Sequence, residues 1–221
     1  MDDHRTKRDQ LVQEIRRRIV SGEYPRGSKL GQDELAAQFG VSITPVREAL
    51  RLLENERLVV SEPHKGVRVS GIDLERIDAA YVLRRLTESF AARRAAFRMS
   101  RHDLVVLTQM LDAADAAAGD ADFDSYEANR AFHFYIYERC GLPELTKRIA
   151  EMWSSFPWDL MLGDAVRTDD SRHEHRTIVE ALDRGDADDV ARALENHLAG
   201  GMAALRSHLT GSEGEDPFDA D

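Results

Sequence analysis

Residues Gly22–Val59 read GEYPRGSKLGQDELAAQFGVSITPVREALRLLENERLV, and the order of breakers and apolar positions in them decides the N-terminal fold. Tyr24-Pro25-Arg26-Gly27 is a turn signal. Gln32–Phe39 has the spacing of a short helix, with Leu35, Ala36 and Phe39 inward, and Gly40 stops it. Val41-Ser42 makes a tight turn. Thr44 then reads as an N-cap with Pro45 at the first helical position. The helix that follows runs to about Asn55 and puts Val46, Ala49, Leu50 and Leu53 on one face.

Upstream, Asp9–Ser21 repeats Leu11, Val12, Ile15 and Ile19 with helical period, and Gly22 ends it. Downstream, Val59–Ser61 and Val67–Val69 are β-like, with a turn over Glu62–Gly66. Helix, short helix, tight turn, helix and hairpin predict a winged helix-turn-helix over residues 1–70, with a small β-hairpin wing. In such a unit the third helix offers its N-terminus to a major groove. Ser42 and Thr44 would meet phosphates there, aided by the helix dipole. Arg47 lies one turn in, opposite Leu50 and Leu53, where a guanidinium can reach a guanine edge with two hydrogen bonds. Lys65 and Gly66 stand at the wing tip, where a small residue lets backbone approach DNA. Taken singly, Arg47 and Lys65 read as solvated surface charges; it is the ordered set of elements that speaks for DNA.

These residues resemble the GntR family of bacterial transcription regulators over about Leu11–Val69. The core Val41–Leu50, VSITPVREAL, and the wing PHKGVRV (Pro63–Val69) carry the resemblance. Two positions depart from the family pattern. Ile43 stands where Arg is usual, which removes one expected DNA contact. Arg57 stands where Gly is usual, at a helix C-terminus that favours Gly without requiring it.

The whole chain has 221 residues, enough for one or two domains, with 30 Lys+Arg against 41 Asp+Glu and a net charge of −11. The charge is uneven. Residues 1–70 hold 13 basic and 11 acidic side chains, the remainder 17 and 30, as expected for two domains with different partners. An acidic whole does not exclude nucleic acid, since binding follows the local patch. No stretch approaches the apolar run of about 18 residues that a membrane span needs, and MDDHRTKRDQ has no apolar signal region. Cys140 is the single cysteine, so an intrachain disulfide is excluded and a cytoplasmic location is expected. Residues 211–221 are acidic and turn-rich and read as a disordered tail.

Six helical segments are predicted between 71 and 210: Asp73–Met99, His102–Ala118, Asp122–Cys140, Pro143–Phe156, His173–Arg184 and Ala187–Leu209. They make a mainly α protein whose second domain is an all-α antiparallel helical bundle. Three of the helices carry a histidine on an apolar stripe. His133 lies with Tyr126, Phe132, Ile136, Tyr137 and Cys140, with Asn129 one turn before it; His175 lies with Ile178, Val179 and Leu182; His197 lies with Val190, Ala193, Leu194 and Gly201. A divalent metal ion (Zn, Ni, Mn or Fe) would satisfy three neutral imidazoles and an amide oxygen at once; a hydrogen-bonded core cluster is the alternative. His208 also falls on the last stripe, and His173 near a helix start; neither is assigned a role. Arg84 and Glu88 interrupt another stripe, formed by Ile77, Tyr81, Ala91 and Ala95. Arg84 reads equally as the partner of Glu88 one turn on, or as the holder of an effector carboxylate.

This half resembles the FCD effector domain, the ligand-binding half of FadR-like GntR regulators, in its shorter, VanR-like form. The matching stretches are RRLTESFAARRAA from Arg84, NRAFH (Asn129–His133), EHRTIVEAL around His175 and ENHL around His197. The resemblance implies Asn129, His133, His175 and His197 as metal ligands, with Asn129 at the usual Asp position, and Arg84 beside the metal on the effector. It implies a homodimer that reads a palindromic double-stranded DNA operator as a repressor and answers to a small organic acid, with no role for a membrane. Two alternatives stay open: a sensor for which the ion is itself the effector, and, less favoured, a metal-dependent enzyme, for which Glu88 is the only base at hand. Leu83, Leu86, Phe90 and Phe97 form a second apolar face suited to a dimer contact.

Overall fold

The computed structural model describes residues 7–56, 58–63, 65–117, 123–161, 165–212 and 214–219. Arg57, and the helix ends expected at Ala118 and Asp122, lie outside these residues. The chain divides into two compact units, one up to Leu74 together with Pro157–Asp159, the other Glu75–Phe156 with Leu160–Asp221.

The first unit packs helices α1 (Lys7–Val20), α2 (Gln32–Phe39) and α3 (Ile43–Asn55) with strands β1 (Lys29–Leu30), β2 (Val59–Glu62) and β3 (Gly66–Val69). The core is formed by the faces read from the sequence: Ile15 and Ile19 of α1, Leu35 of α2, and Val46, Ala49, Leu50 and Leu53 of α3 are all buried. Gly40 ends α2 in the left-handed conformation, with its N–H donating to the Ala36 and Ala37 carbonyls. β2 and β3 pair antiparallel from Val59↔Val69 to Glu62↔Gly66. The structure adds β1, which pairs with the free edge of β3 through Lys29↔Arg68 and Leu30↔Val67, so the wing is a three-stranded sheet in the order β1-β3-β2. Two residues are too few to show a strand period. The start of α3 also differs from expectation. Ser42 is the extended N-cap (φ −76°, ψ 166°), and Thr44 and Pro45 fall inside the first turn. Pro45 is tolerated there because first-turn N–H groups have no intrahelical acceptor.

The second unit holds α4 (Leu74–Ala96), α5 (Arg101–Ala116), α6 (Ser125–Tyr137), which runs on into a 3-10 turn (Glu138–Cys140), α7 (Pro143–Ser155), α9 (Ala165–Arg184) and α10 (Ala187–Thr210), while the short α8 (Trp158–Met161) is divided between the two units. Caps fix several starts. Ser100 and Asp103 form a reciprocal capping box at α5, Asp124 caps α6, and the Asp186 carboxylate accepts from the Asp188 and Asp189 N–H groups at α10. α9 begins eight residues before the expected His173, through a polar stretch with no apolar stripe to reveal it. The four-residue α8 was not expected. On α4, Leu83, Leu86 and Phe90 are exposed, on the side away from buried Ile77, Tyr81 and Ala91, and exposed Phe97 follows directly after the helix.

The acidic C-terminal stretch is a correction to the disordered reading. Asp216 accepts from Tyr81 Oη (2.8 Å) and Arg85 Nη1 (2.9 Å). Phe218 meets the Tyr81 ring edge-on, under the Arg85 guanidinium at 4.2 Å. Composition argued for solvation, but two specific side chains find a cation and a ring on α4. Asp216→Ala is expected to lower the unfolding free energy by about 1 kcal/mol, in line with the loss of partly exposed hydrogen bonds, as read by urea denaturation. An unchanged midpoint would show that the stretch adds nothing to stability.

Candidate functional site

His133 comes from α6, His175 from α9 and His197 from α10, and all three are buried. α9 and α10 are joined by a tight turn at Gly185. His175 lies about as far before that turn as His197 lies after it, so the two imidazoles reach the same level of the bundle. The ring centroids are 4.9 Å (His133–His175), 5.1 Å (His133–His197) and 4.6 Å (His175–His197) apart. Taking one nitrogen from each ring, the three potential ligand atoms all lie within 4.8 Å of one another. Phe132 packs on His175 and Trp153 on His133, giving the cluster an aromatic wall.

The hydrogen bonds around the rings assign their lone pairs. The Tyr137 hydroxyl is buried beside Glu88; burial first, then that carboxylate, push it well above the usual tyrosine range, so it keeps its proton. It donates that proton to Glu88 Oε2 at 2.6 Å. Its oxygen then accepts from His133 Nδ1–H at 3.0 Å, which leaves the lone pair of His133 on Nε2. His197 Nδ1 lies 2.7 Å from Glu174 Oε2 and is the donor there, so Nε2 is the nitrogen left facing the cluster for a metal. His133 is held neutral: burial chiefly, and the positive groups around it after that, push its pKa well below the usual histidine range. Its Nε2 lies 3.1 Å from His175 Nε2. Two nitrogens bonded to one ion at about 2.0–2.1 Å would stand about 3.0 Å apart at a right angle and about 3.4 Å apart in a tetrahedron. The spacing, the neutral His133 ring and the hydroxyl and carboxylate behind His133 and His197 suit a divalent cation.

Arg84 and Glu88 are buried on α4. Arg84 Nε donates to Glu88 Oε1 at 2.7 Å, and Trp153 Nε1 donates to the same oxygen at 3.0 Å. The Arg84 guanidinium lies over the rings of Phe156 (4.5 Å) and Trp153 (5.1 Å). Arg84 thus has a carboxylate partner inside the protein, the i,i+4 partner the sequence offered. Asn129 is half-buried one turn before His133.

In the first unit, Ser42, Thr44 and Arg47 are exposed along the N-terminal turns of α3. The Ser42 side chain makes no cap hydrogen bond. Arg47 Nε lies 3.5 Å from Gln32 Oε1, a long contact. Lys65 and Gly66 sit at the β2–β3 turn. Lys65 Nζ is 3.5 Å from Glu62, and Gly66 has φ +89°, a conformation that makes glycine the natural residue at the wing tip.

Residues 7–69 match the family described as bacterial regulatory proteins, gntR family, and residues 79–200 match the FCD domain. The chain belongs to the GntR family, with an FCD domain as its second half. This GntR regulator is 30% identical over 209 residues to the probable D-xylose utilization operon transcriptional repressor of Paenarthrobacter nicotinovorans, covering 92% of this chain and 88% of the relative. It is 30% identical to the Uxu operon regulator of Haemophilus influenzae, covering 85% and 77%. Its fold is that of E. coli McbR/YncC, with a TM-score of 0.81 at 23% identity over 93% of this chain and all of that one. The regulator is therefore a transcription factor and not an enzyme. Among its described residues no helix is long and apolar enough to cross a membrane.

Two parts of the regulator's histidine centre were not legible in its sequence. Glu174 lies on the flank of α9 beside His175 yet serves His197 on α10, and no periodicity marks such a cross-helix partner. Trp153 is buried, and nothing in the spacing shows that its indole N–H serves Glu88.

Proposed function

We propose that this GntR regulator is a repressor whose operator affinity is set by a small carboxylate, bound through a divalent ion at His133, His175 and His197. The observation that carries the reading is the 3.1 Å approach of His133 Nε2 to His175 Nε2 among three buried imidazoles. Zn, Ni, Mn or Fe would suit these ligands, with Asn129 as a neutral fourth donor in place of the usual carboxylate. A cation held by neutral donors keeps its full charge for an anionic ligand. An effector carboxylate at Arg84 would join the Arg84–Glu88 pair rather than replace it. The naming of one relative as an operon repressor supports the sign of regulation.

On the DNA side, we assign Ser42 and Thr44 to phosphates, Arg47 to a guanine edge, and Lys65 and Gly66 to the backbone beside the wing. A palindromic operator requires two copies of the chain. We place their contact on the exposed face of Leu83, Leu86 and Phe90 on α4, continued by Phe97 just past its end. The effector would act by binding one arrangement of the paired heads more tightly than another, which shifts operator affinity by the same factor.

The test is metal content by mass spectrometry on protein purified without a histidine tag, followed by operator binding with and without the ion and with small di- and tricarboxylates. About one equivalent of metal per chain, lost in His133→Ala, and DNA binding that falls only when acid and ion are both present would support the reading. A response to the ion alone would favour the second reading, in which metal is the effector; the commitment of Arg84 to Glu88 speaks for it. No metal after incubation with all four ions would sink both. Tyr137→Phe removes the acceptor of His133 Nδ1–H and is expected to weaken ion binding about 10–100-fold by calorimetry, as loss of an outer-shell partner does.

A further inference from the structure

Ile43 is the first residue of α3 and is 39% exposed, although it is β-branched and apolar. Its neighbours Ser42, Thr44 and Arg47 are exposed and polar, and the core of the unit takes Val46, Ala49, Leu50 and Leu53 instead. Ile43 is thus the apolar side chain at the helix end assigned above to the major groove. It precedes Arg47 by four residues, so the two lie one above the other on the same side of the helix. An isolated exposed isoleucine needs no explanation elsewhere on a surface. Here its position gives it a task, because a side chain at this point must meet either water or a base edge.

We propose that Ile43 reads the 5-methyl group of a thymine about one or two base pairs from the guanine contacted by Arg47. The major groove presents hydrogen-bonding atoms on every base, and the thymine methyl is its apolar group. Ile43 can neither donate nor accept. Placed over cytosine N4 or adenine N6, it would strip a donor of its water and offer nothing in return. Placed over a thymine methyl, it buries apolar surface on both sides. Its branched Cβ holds it in one dominant helical rotamer, so little side-chain entropy is lost on contact. Four residues of helix advance by about 6 Å, close to two base-pair steps, which sets the spacing to the Arg47 contact. The proposal rests on the operator-binding reading and adds one specificity position to it.

The test begins with selection of binding sites from random duplexes by the full-length protein. Each thymine of the selected half-site is then replaced by deoxyuridine, which lacks the methyl and keeps every hydrogen-bonding atom. One position is expected to lose about fourfold in affinity when substituted in one half-site and about fifteenfold when substituted in both, the scale of one buried methyl per half-site. In Ile43→Ala the same substitutions are expected to cost less than about 1.5-fold. Ile43→Arg is expected to select guanine there instead of thymine. Melting temperatures of the variants should match the parent, since Ile43 lies outside the core. A selected site at which no deoxyuridine weakens binding, or a penalty that persists in Ile43→Ala, overturns this inference alone. Selection that enriches no sequence overturns the operator-binding reading and this inference with it.

Discussion

Glu88→Ala is expected to cost the FCD domain about 3–5 kcal/mol, a large share of the roughly 5–15 kcal/mol that holds a domain folded. Glu88 has no solvent exposure. Its two oxygens accept from Arg84 Nε, Trp153 Nε1 and Tyr137 Oη, donors carried by three different helices. Truncation to Ala leaves a buried guanidinium without its carboxylate, and two further buried donors without their acceptor. The Arg84 guanidinium is almost fully buried, so water cannot take the place of the lost carboxylate. Its contacts with Phe156 and Trp153 offset only part of the loss, because an aromatic face stabilises a cation far less than a carboxylate does in a dry site. Removing both charges should be milder than removing one. Arg84→Met with Glu88→Leu is expected to recover at least half of the lost stability. Urea unfolding followed by tryptophan fluorescence and far-UV dichroism measures each step. If Glu88→Ala unfolds within about 1 kcal/mol of the parent, the cluster is not the polar keystone described here.

How much of this was legible beforehand depends on how each residue signals its neighbours. The helix-turn-helix could be read because every boundary has a local cause. Gly40 ends α2 with a left-handed residue, and the four core positions of α3 recur at helical spacing. The histidines could be read because each shares an apolar stripe on its own helix, which fixes direction without any knowledge of the partner. The outer ring around them could not. Tyr137 shares the apolar face of His133, but its use of one proton for Glu88 and one lone pair for His133 is a property of two helices together. Glu174 lies off the stripe of the helix that carries it. The C-terminal stretch failed for the opposite reason: average acidity argued for solvation, while Asp216 and Phe218 act as individuals against Arg85 and Tyr81. Strand β1 is two residues long, and pairing with β3 alone makes it a strand.

The largest response to solution conditions is expected from the imidazole cluster. Folded His133 is held neutral with its pKa pushed below 6.5, whereas in the unfolded chain it takes up a proton near that value. Below pH 6.5 the unfolded state therefore binds a proton that the folded state refuses. Stability is at its full value above that pH and falls as the pH is lowered, by up to about 1.4 kcal/mol per pH unit for this one group. A divalent ion on the Nε2 lone pairs needs the same neutral rings, so its affinity should fall over the same acid range. At pH 7.5, an ion at a hundred times its Kd is expected to add about 2.7 kcal/mol, which raises the melting temperature by about 5–10 °C in a chain of this length. At pH 5 the increment should shrink toward zero. In His133→Ala it should vanish at both pH values, and because the readout is the difference with and without ion, any loss of basal stability in the variant cancels. Thermal melts of protein freed of metal by a chelator, repeated with Zn, Ni, Mn and Fe, decide the matter. An equal shift at both pH values would place the ion on carboxylates elsewhere on the acidic chain. No shift with any ion would leave three imidazoles held together by hydrogen bonds alone, one proton shared between His133 and His175 across their 3.1 Å contact.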